Sequence, residues 1–250
     1  MTGLRSLVGT TAVVTGASRG FGRGVSAALS EAGVRVIGVA RTGPDLEEIR
    51  EALGDNFVPV PGDATDGELA ARLIAEHRPS TLVLCAGAMP TMAPLRRHTW
   101  ESFSKNWDVD VRHVFEWIGA ALRAPLGQGS SVVAFSSGAA LKGSPLSGGY
   151  AGAKSTIRFI TSYAALESQR ADLGIDFVSL LPQLTPATDL GAEAVAAYAA
   201  AQGSEVEAFV TGMGAVVTPE LVGRCVVDLV RSPGRQQAYA ITADGPRGLD

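Results

Sequence analysis

A doubly wound, parallel α/β sheet of about seven strands is the fold this sequence predicts, and three observations predict it. Short apolar or β-branched runs alternate with longer amphipathic stretches along the 250 residues. The runs AVVT, VRVIGVA, TLVLCAG and SVVAFSS are nearly continuous in apolar side chains, which suits strands buried on both faces. Strand and helix patterns follow one another in steady succession, which implies right-handed crossovers between parallel neighbours.

Taken in order, the expected strands are Thr11–Thr15, Val34–Ala40, Phe57–Val60, Thr81–Cys85, Ser131–Ser136, Asp176–Leu181 and Ala238–Thr242. Each is short, rich in Val, Ile, Leu or Phe, and bounded by turn residues. Helical periodicity fills the gaps at Gly22–Ala32, Pro44–Leu53, Asp66–His77, Trp100–Arg123, Tyr150–Leu173 and Pro219–Arg231. No linker, low-complexity tract or internal repeat interrupts the series, so one domain over 1–250 is expected. Residues 183–215 stand apart, beginning with QLTPATDL and continuing as an Ala-rich run. They follow the sixth strand, at the carboxyl edge where such sheets bind ligands, and read equally as a substrate-covering lid or a packing helix.

Composition narrows the function. Apolar residues at 46% and charged residues at 18% supply a core, while a net charge of −4 offers no basic excess for nucleic acid. Polybasic runs and long uncharged apolar windows are missing, so no membrane partner is expected. The N-terminal residues lack a sustained apolar signal, and Cys85 and Cys225 stand alone; a cytoplasmic setting is the expectation. His77, His98 and His113 form no metal-binding spacing, so no metal is expected.

The first strand runs into TGASRGFG, Thr15 to Gly22, and a helix pattern follows at once. In that setting Gly16 permits the turn off the strand, Gly20 admits a pyrophosphate close to the backbone, and Gly22 lets the helix lie against the sheet. The helix N-terminus then offers free N–H groups to phosphates. A carboxylate at the end of the second strand would accept bonds from an NAD ribose; here Ala40 stands there, followed by Arg41. Arg19, inside the glycine loop, adds a second guanidinium. Together they suit a 2′-phosphate, and NADP(H) is the expected cofactor.

Tyr150 and Lys154, in YAGAK, are one helical turn apart and face the same way. With four tyrosines and only Lys105, Lys142 and Lys154 in the chain, chance supplies such a pair in about one sequence in twenty. A nearby ammonium favours phenolate over phenol and so tunes Tyr150 for proton transfer.

With these motifs in their order, the chain resembles the short-chain dehydrogenase/reductase family, of Rossmann type, along essentially its whole length. TGASRGFG is similar to the family's TGxxxGxG, YAGAK to its YxxxK, and Ser137 of FSSG lies where the family has its serine. Asp63 of GDATD resembles the residue that contacts adenine, and LCAG, Leu84 to Gly87, resembles the family's NNAG with both asparagines replaced. The resemblance implies carbonyl–alcohol interconversion with Tyr150 as general acid/base, and a small to medium apolar substrate is expected. Lys154 would hold the nicotinamide ribose and Ser137 the substrate oxygen. It further implies cofactor contacts from Ser18, Phe21, Ala64, Ala86, Gly87, Pro182 and Thr185, with Thr188 the second candidate. A homotetramer or dimer is implied too, packed through the helices after strands four and five. Met89, Leu141, Leu184, Tyr198 and Phe209 are expected to line an apolar substrate pocket.

Three departures from the family pattern stand out. Asp110, in VDVRHVF, occupies the position of a family Asn that serves a proton relay, with Asn106 one turn earlier as a possible stand-in. An ionised Asp accepts hydrogen bonds but donates none. Cys85 replaces an Asn, and Gln183 follows Pro182 where the family has Gly, although Gln is less free to take positive φ. These changes motivate an alternative reading, an NADP(H)-binding regulatory or scaffold protein of the same fold with weak catalysis.

Overall fold

The computed structural model describes residues 4–232 and 236–249. Its sheet has the order β3-β2-β1-β4-β5-β6-β7-β8 and is parallel from β3 through β7. The strands are β1 (Thr11–Thr15), β2 (Arg35–Ala40), β3 (Phe57–Pro61), β4 (Thr81–Leu84), β5 (Ser131–Phe135), β6 (Asp176–Pro182), β7 (Ala238–Thr242) and β8 (Gly245–Gly248). The sequence led us to expect about seven strands; β8 is the eighth. Its residues GPRG carry no strand propensity, and it forms by antiparallel hairpin pairing of Gly245 with Thr242 and Gly248 with Tyr239. Pro59 and Pro61 are tolerated in β3 because it lies at the sheet edge.

Two helical layers cover the sheet. On one face lie α1 (Gly20–Glu31), α2 (Gly43–Leu53) and α10 (Pro219–Arg231), which bury Val25, Leu29, Leu46, Ile49 and Val222 against Ala12 and Val14. On the other lie α3 (Gly67–His77), α5 (Arg112–Arg123) and α7 (Gly148–Arg170), with Leu73, Trp117 and Ile157 packed on Val13 and Leu82. Successive β1 residues thus serve opposite layers, as strand pleating requires. Strand order reverses between β1 and β4, which opens a crevice at their carboxyl ends.

The long helix expected over Trp100–Arg123 is interrupted. It comprises α4 (Trp100–Asn106), a π-helical turn (Trp107–Val111) and α5. Apolar periodicity continues through the π turn, so the sequence pattern did not reveal it. A one-turn helix, α6 (Ala139–Lys142), links β5 to α7, and residues 183–215 form α8 (Asp189–Ala201) and α9 (Val206–Met213). Among the described residues no helix is long and apolar enough to cross a membrane.

Candidate active site

The glycine loop rises from β1 at the crevice. Gly16 has φ +67°, and a Cβ there would lie 2.8 Å from the Ala86 Cα, so the loop touches the segment after β4 backbone to backbone. Gly20 also has positive φ, at +52°. A Cβ on Gly22 would lie 2.1 Å from the Gly16 carbonyl oxygen; this glycine closes the loop on itself rather than on the sheet. Arg19, the residue preceding α1, makes no side-chain cap, so the first N–H groups of α1 face the crevice without one. Ser18 and Phe21 are half-buried around this opening.

Arg41 and Asp63 lie just beyond the adjacent ends of β2 and β3. The Thr65 backbone N–H, at 2.9 Å, holds the Asp63 carboxyl below its usual range, helped by the Thr65 hydroxyl and the Arg41 charge. Ala64 is buried, and its carbonyl accepts a 2.9 Å bond from the Trp117 indole. Arg19 points instead to the start of α8, where its Nη1 lies 3.2 Å from the Asp189 carboxylate, both side chains largely exposed.

Ser137, Tyr150 and Lys154 converge beyond the end of β5. Lys154 is buried, only 5% exposed, and its ammonium donates to the Phe135 carbonyl at 3.0 Å. It lies 3.1 Å from Oδ2 of Asp110 and 5.5 Å from the Tyr150 ring centre. Lys154 is anchored from its own backbone as well, since the Ser136 hydroxyl donates to its carbonyl at 2.7 Å. Ser137 accepts from the Ala139 N–H at 3.2 Å. Burial pushes the Tyr150 phenol above its ordinary value; the Lys154 charge and the Ser137 hydroxyl pull against that, while Asp110 and Cys85 add to it.

The π turn aims Asp110 inward. Its Oδ1 accepts the Ala88 N–H at 2.8 Å and the Asn106 amide at 3.3 Å, and Asn106 also donates to the Ala88 carbonyl at 2.8 Å. Asn106, the possible stand-in, therefore steadies Asp110 and the segment after β4, while Asp110 meets the ammonium. Cys85, beside this group, has its thiol pushed up to about 12 by burial.

At the end of β6, Pro182 is buried and its carbonyl accepts the Gly138 N–H at 2.9 Å. Gln183 does not adopt positive φ, so the family's glycine is dispensable at this turn. The Thr185 hydroxyl is buried and committed to Val217 O at 2.6 Å and Ala187 N at 3.1 Å. Thr188 caps α8 and lies against the glycine loop, 3.4 Å from where a Gly20 Cβ would stand. Tyr198, expected only as an apolar wall, hydrogen-bonds Ser144, which pairs with Ser147 at 2.6 Å. These contacts tie residues 183–215 to both the glycine loop and the segment before Tyr150.

Thr15 and His113 were not identified from the sequence. The Thr15 hydroxyl accepts the Cys85 N–H at 3.0 Å and lies 2.9 Å from His113 Nε2, beneath the glycine loop. A histidine among the apolar positions of VRHVFEW was the available signal. Among the described residues no group of three His, Cys, Asp or Glu side chains could hold a metal.

Comparison with known proteins matches residues 10–199 to the short chain dehydrogenase family. The chain is 32% identical over 248 residues to dehydrogenase/reductase SDR family member 1 of Homo sapiens, covering 90% of this chain and 76% of that one. It is 30% identical to the L-xylulose reductase of Homo sapiens, over 64% of this chain and 66% of that protein. It is also 30% identical to carbonyl reductase (NADPH) 2 of Sus scrofa, over 64% of this chain and 66% of the relative.

Proposed function

Because the chain belongs to the short chain dehydrogenase family, we propose that it is an NADP(H)-dependent reductase interconverting a carbonyl and an alcohol on a small to medium substrate. The convergence of Ser137, Tyr150 and an anchored Lys154 carries this reading. The glycine cradle and the open α1 N-terminus fit a pyrophosphate. Ala40 followed by Arg41 at the end of β2 fits a 2′-phosphate better than a free ribose hydroxyl. Arg19 joins it once released from Asp189, an exposed pair worth only about 0–1 kcal/mol.

When bound, the nicotinamide supplies or accepts the hydride at the substrate carbon. In reduction, Tyr150 gives its proton to the carbonyl oxygen, and the Ser137 hydroxyl donates a hydrogen bond to the same oxygen as negative charge develops there. Lys154 would hold the ribose, and its charge favours the phenolate left behind. Residues 183–215 would cover the substrate, with Met89, Leu141, Leu184 and Phe209 supplying apolar surface and the Tyr198–Ser144–Ser147 hydroxyls a polar corner. The reductases of L-xylulose and D-erythrulose among the relatives make hydroxylated ketones natural members of the first substrate panel.

The test is loss of NADPH absorbance over a panel of ketones, ketoses and aldehydes, with NADH alongside. We expect turnover with NADPH preferred, and Tyr150→Phe to lower kcat by at least about 100-fold. Equal turnover by that variant on a good substrate would remove Tyr150 from the mechanism.

A further inference from the structure

Lys154 has three N–H groups to place. One goes to the Phe135 carbonyl at 3.0 Å, and the Asp110 carboxylate at 3.1 Å takes a second. One remains for the cofactor side. Asp110 is equally committed: it has no exposed surface, its Oδ1 is held by the Ala88 N–H and the Asn106 amide, and its Oδ2 has no hydrogen-bond partner apart from the ion pair. Two opposite charges in direct contact and out of water form a unit of zero net charge. An amide at position 110 would leave the ammonium's field on Tyr150 uncompensated.

We propose that Asp110 is a positioning residue that holds Lys154 as a neutral ion pair, so that Tyr150 remains a protonated donor through neutral and moderately alkaline pH. The inference rests on the reading of Tyr150 as the acid/base. The groups facing the phenol are Lys154 on α7, Ser137 after β5, Asp110 in the π turn and Cys85 after β4. Only Lys154 and Ser137 favour its ionised form. Asp110 and Cys85 oppose it, in the same direction as burial.

The consequence concerns pH range. Reduction consumes the phenol's proton, so its rate holds a plateau far into alkali. Oxidation needs the phenolate and climbs about tenfold per pH unit below the inflection. At any one pH the equilibrium sets the ratio of the two directions, so both profiles must share a single inflection.

Asp110→Asn removes the charge and keeps the shape. The phenol's ionisation is read by ultraviolet difference titration of each protein against the same protein carrying Tyr150→Phe, and then by kcat/KM against pH in both directions. The inflection is expected to fall by about 1–3 units in Asp110→Asn, while Asp110→Glu, which keeps the charge, leaves it near the wild-type value. A residue that served only to support the fold would lower kcat without moving the inflection. An inflection unmoved or raised in Asp110→Asn overturns the proposal. Should that variant not fold, the wild type decides: a Tyr150 phenol ionising clearly below the ordinary value of about 10 overturns it as well. Failure of the underlying reading looks different: Tyr150→Phe then keeps turnover, while the absorbance titration still reports the effect of Asp110.

Discussion

His113 has no exposed surface, and with Nε2 2.9 Å from the Thr15 hydroxyl it ties α5 to the end of β1. Through Thr15 it supports the Cys85 N–H, and so the segment that presses on Gly16. LCAG has no asparagine to make such a tie, and the histidine supplies a polar link at the same level. Burial pulls its pKa from 6.5 to about 3, with the Lys154 charge adding to the effect. The neutral ring is therefore the folded form. The stabilisation this brings is complete above about pH 6.5 and is lost progressively as pH falls toward 3, at about 1.4 kcal/mol per unit. Denaturant midpoints measured across that window should fall more steeply for the wild type than for His113→Gln; parallel slopes would mean that His113 titrates normally. Ser137, Tyr150 and Lys154 were legible because each lies in a motif of fixed spacing. Thr15 and His113 were not, because their partnership spans 98 positions and exists only across the sheet.

At the scale of elements, α1 and α10 approach through glycine. A Cβ on Gly223 would lie 2.4 Å from the Gly24 carbonyl oxygen and 2.9 Å from the Ala28 Cβ, and one on Gly24 would lie 2.3 Å from the Pro219 carbonyl. Alanine at a helix interior gains about 1 kcal/mol over glycine. Here the clash is with backbone on the neighbouring helix, which cannot swing aside, and overpacking of this kind costs about 1–3 kcal/mol. Gly223→Ala is therefore expected to lower the thermal or denaturant midpoint, and a raised midpoint would show that the helices are further apart. The π turn is the other decision made at this scale. Of the residues from Trp107 to Val111, it buries Asp110 while Trp107 and Asp108 stay exposed. A straight helix read from periodicity gave the position of Asp110 but not its contacts.

For the whole molecule, the exposed faces of α5 and α7 matter most. Phe115, Phe159 and Tyr163 are each more than half exposed, and Leu166 is exposed beside them. The Phe159 and Tyr163 rings stack 6.2 Å apart on α7. We propose that these faces pack on a second copy to form a dimer or tetramer, since large aromatic side chains clustered in water favour burial. Sedimentation is expected to show an oligomer for the wild type and a smaller species for Phe159→Glu; a monomeric wild type would exclude this interface. Strand patterning, turn chemistry and i, i+4 spacing are local properties, so the fold class, the glycine loop and the Ser–Tyr–Lys motifs were legible in the residues alone. Tertiary structure alone decided the eighth strand, the π turn, the Arg19–Asp189 and Asp110–Lys154 pairs and the His113 tie. Each of the three side-chain pairings joins residues remote in sequence that meet only once the sheet and its helical layers have packed. The π turn and the Gly245–Gly248 strand have no propensity signal, so their backbone geometry is set by the neighbours they pack and pair with.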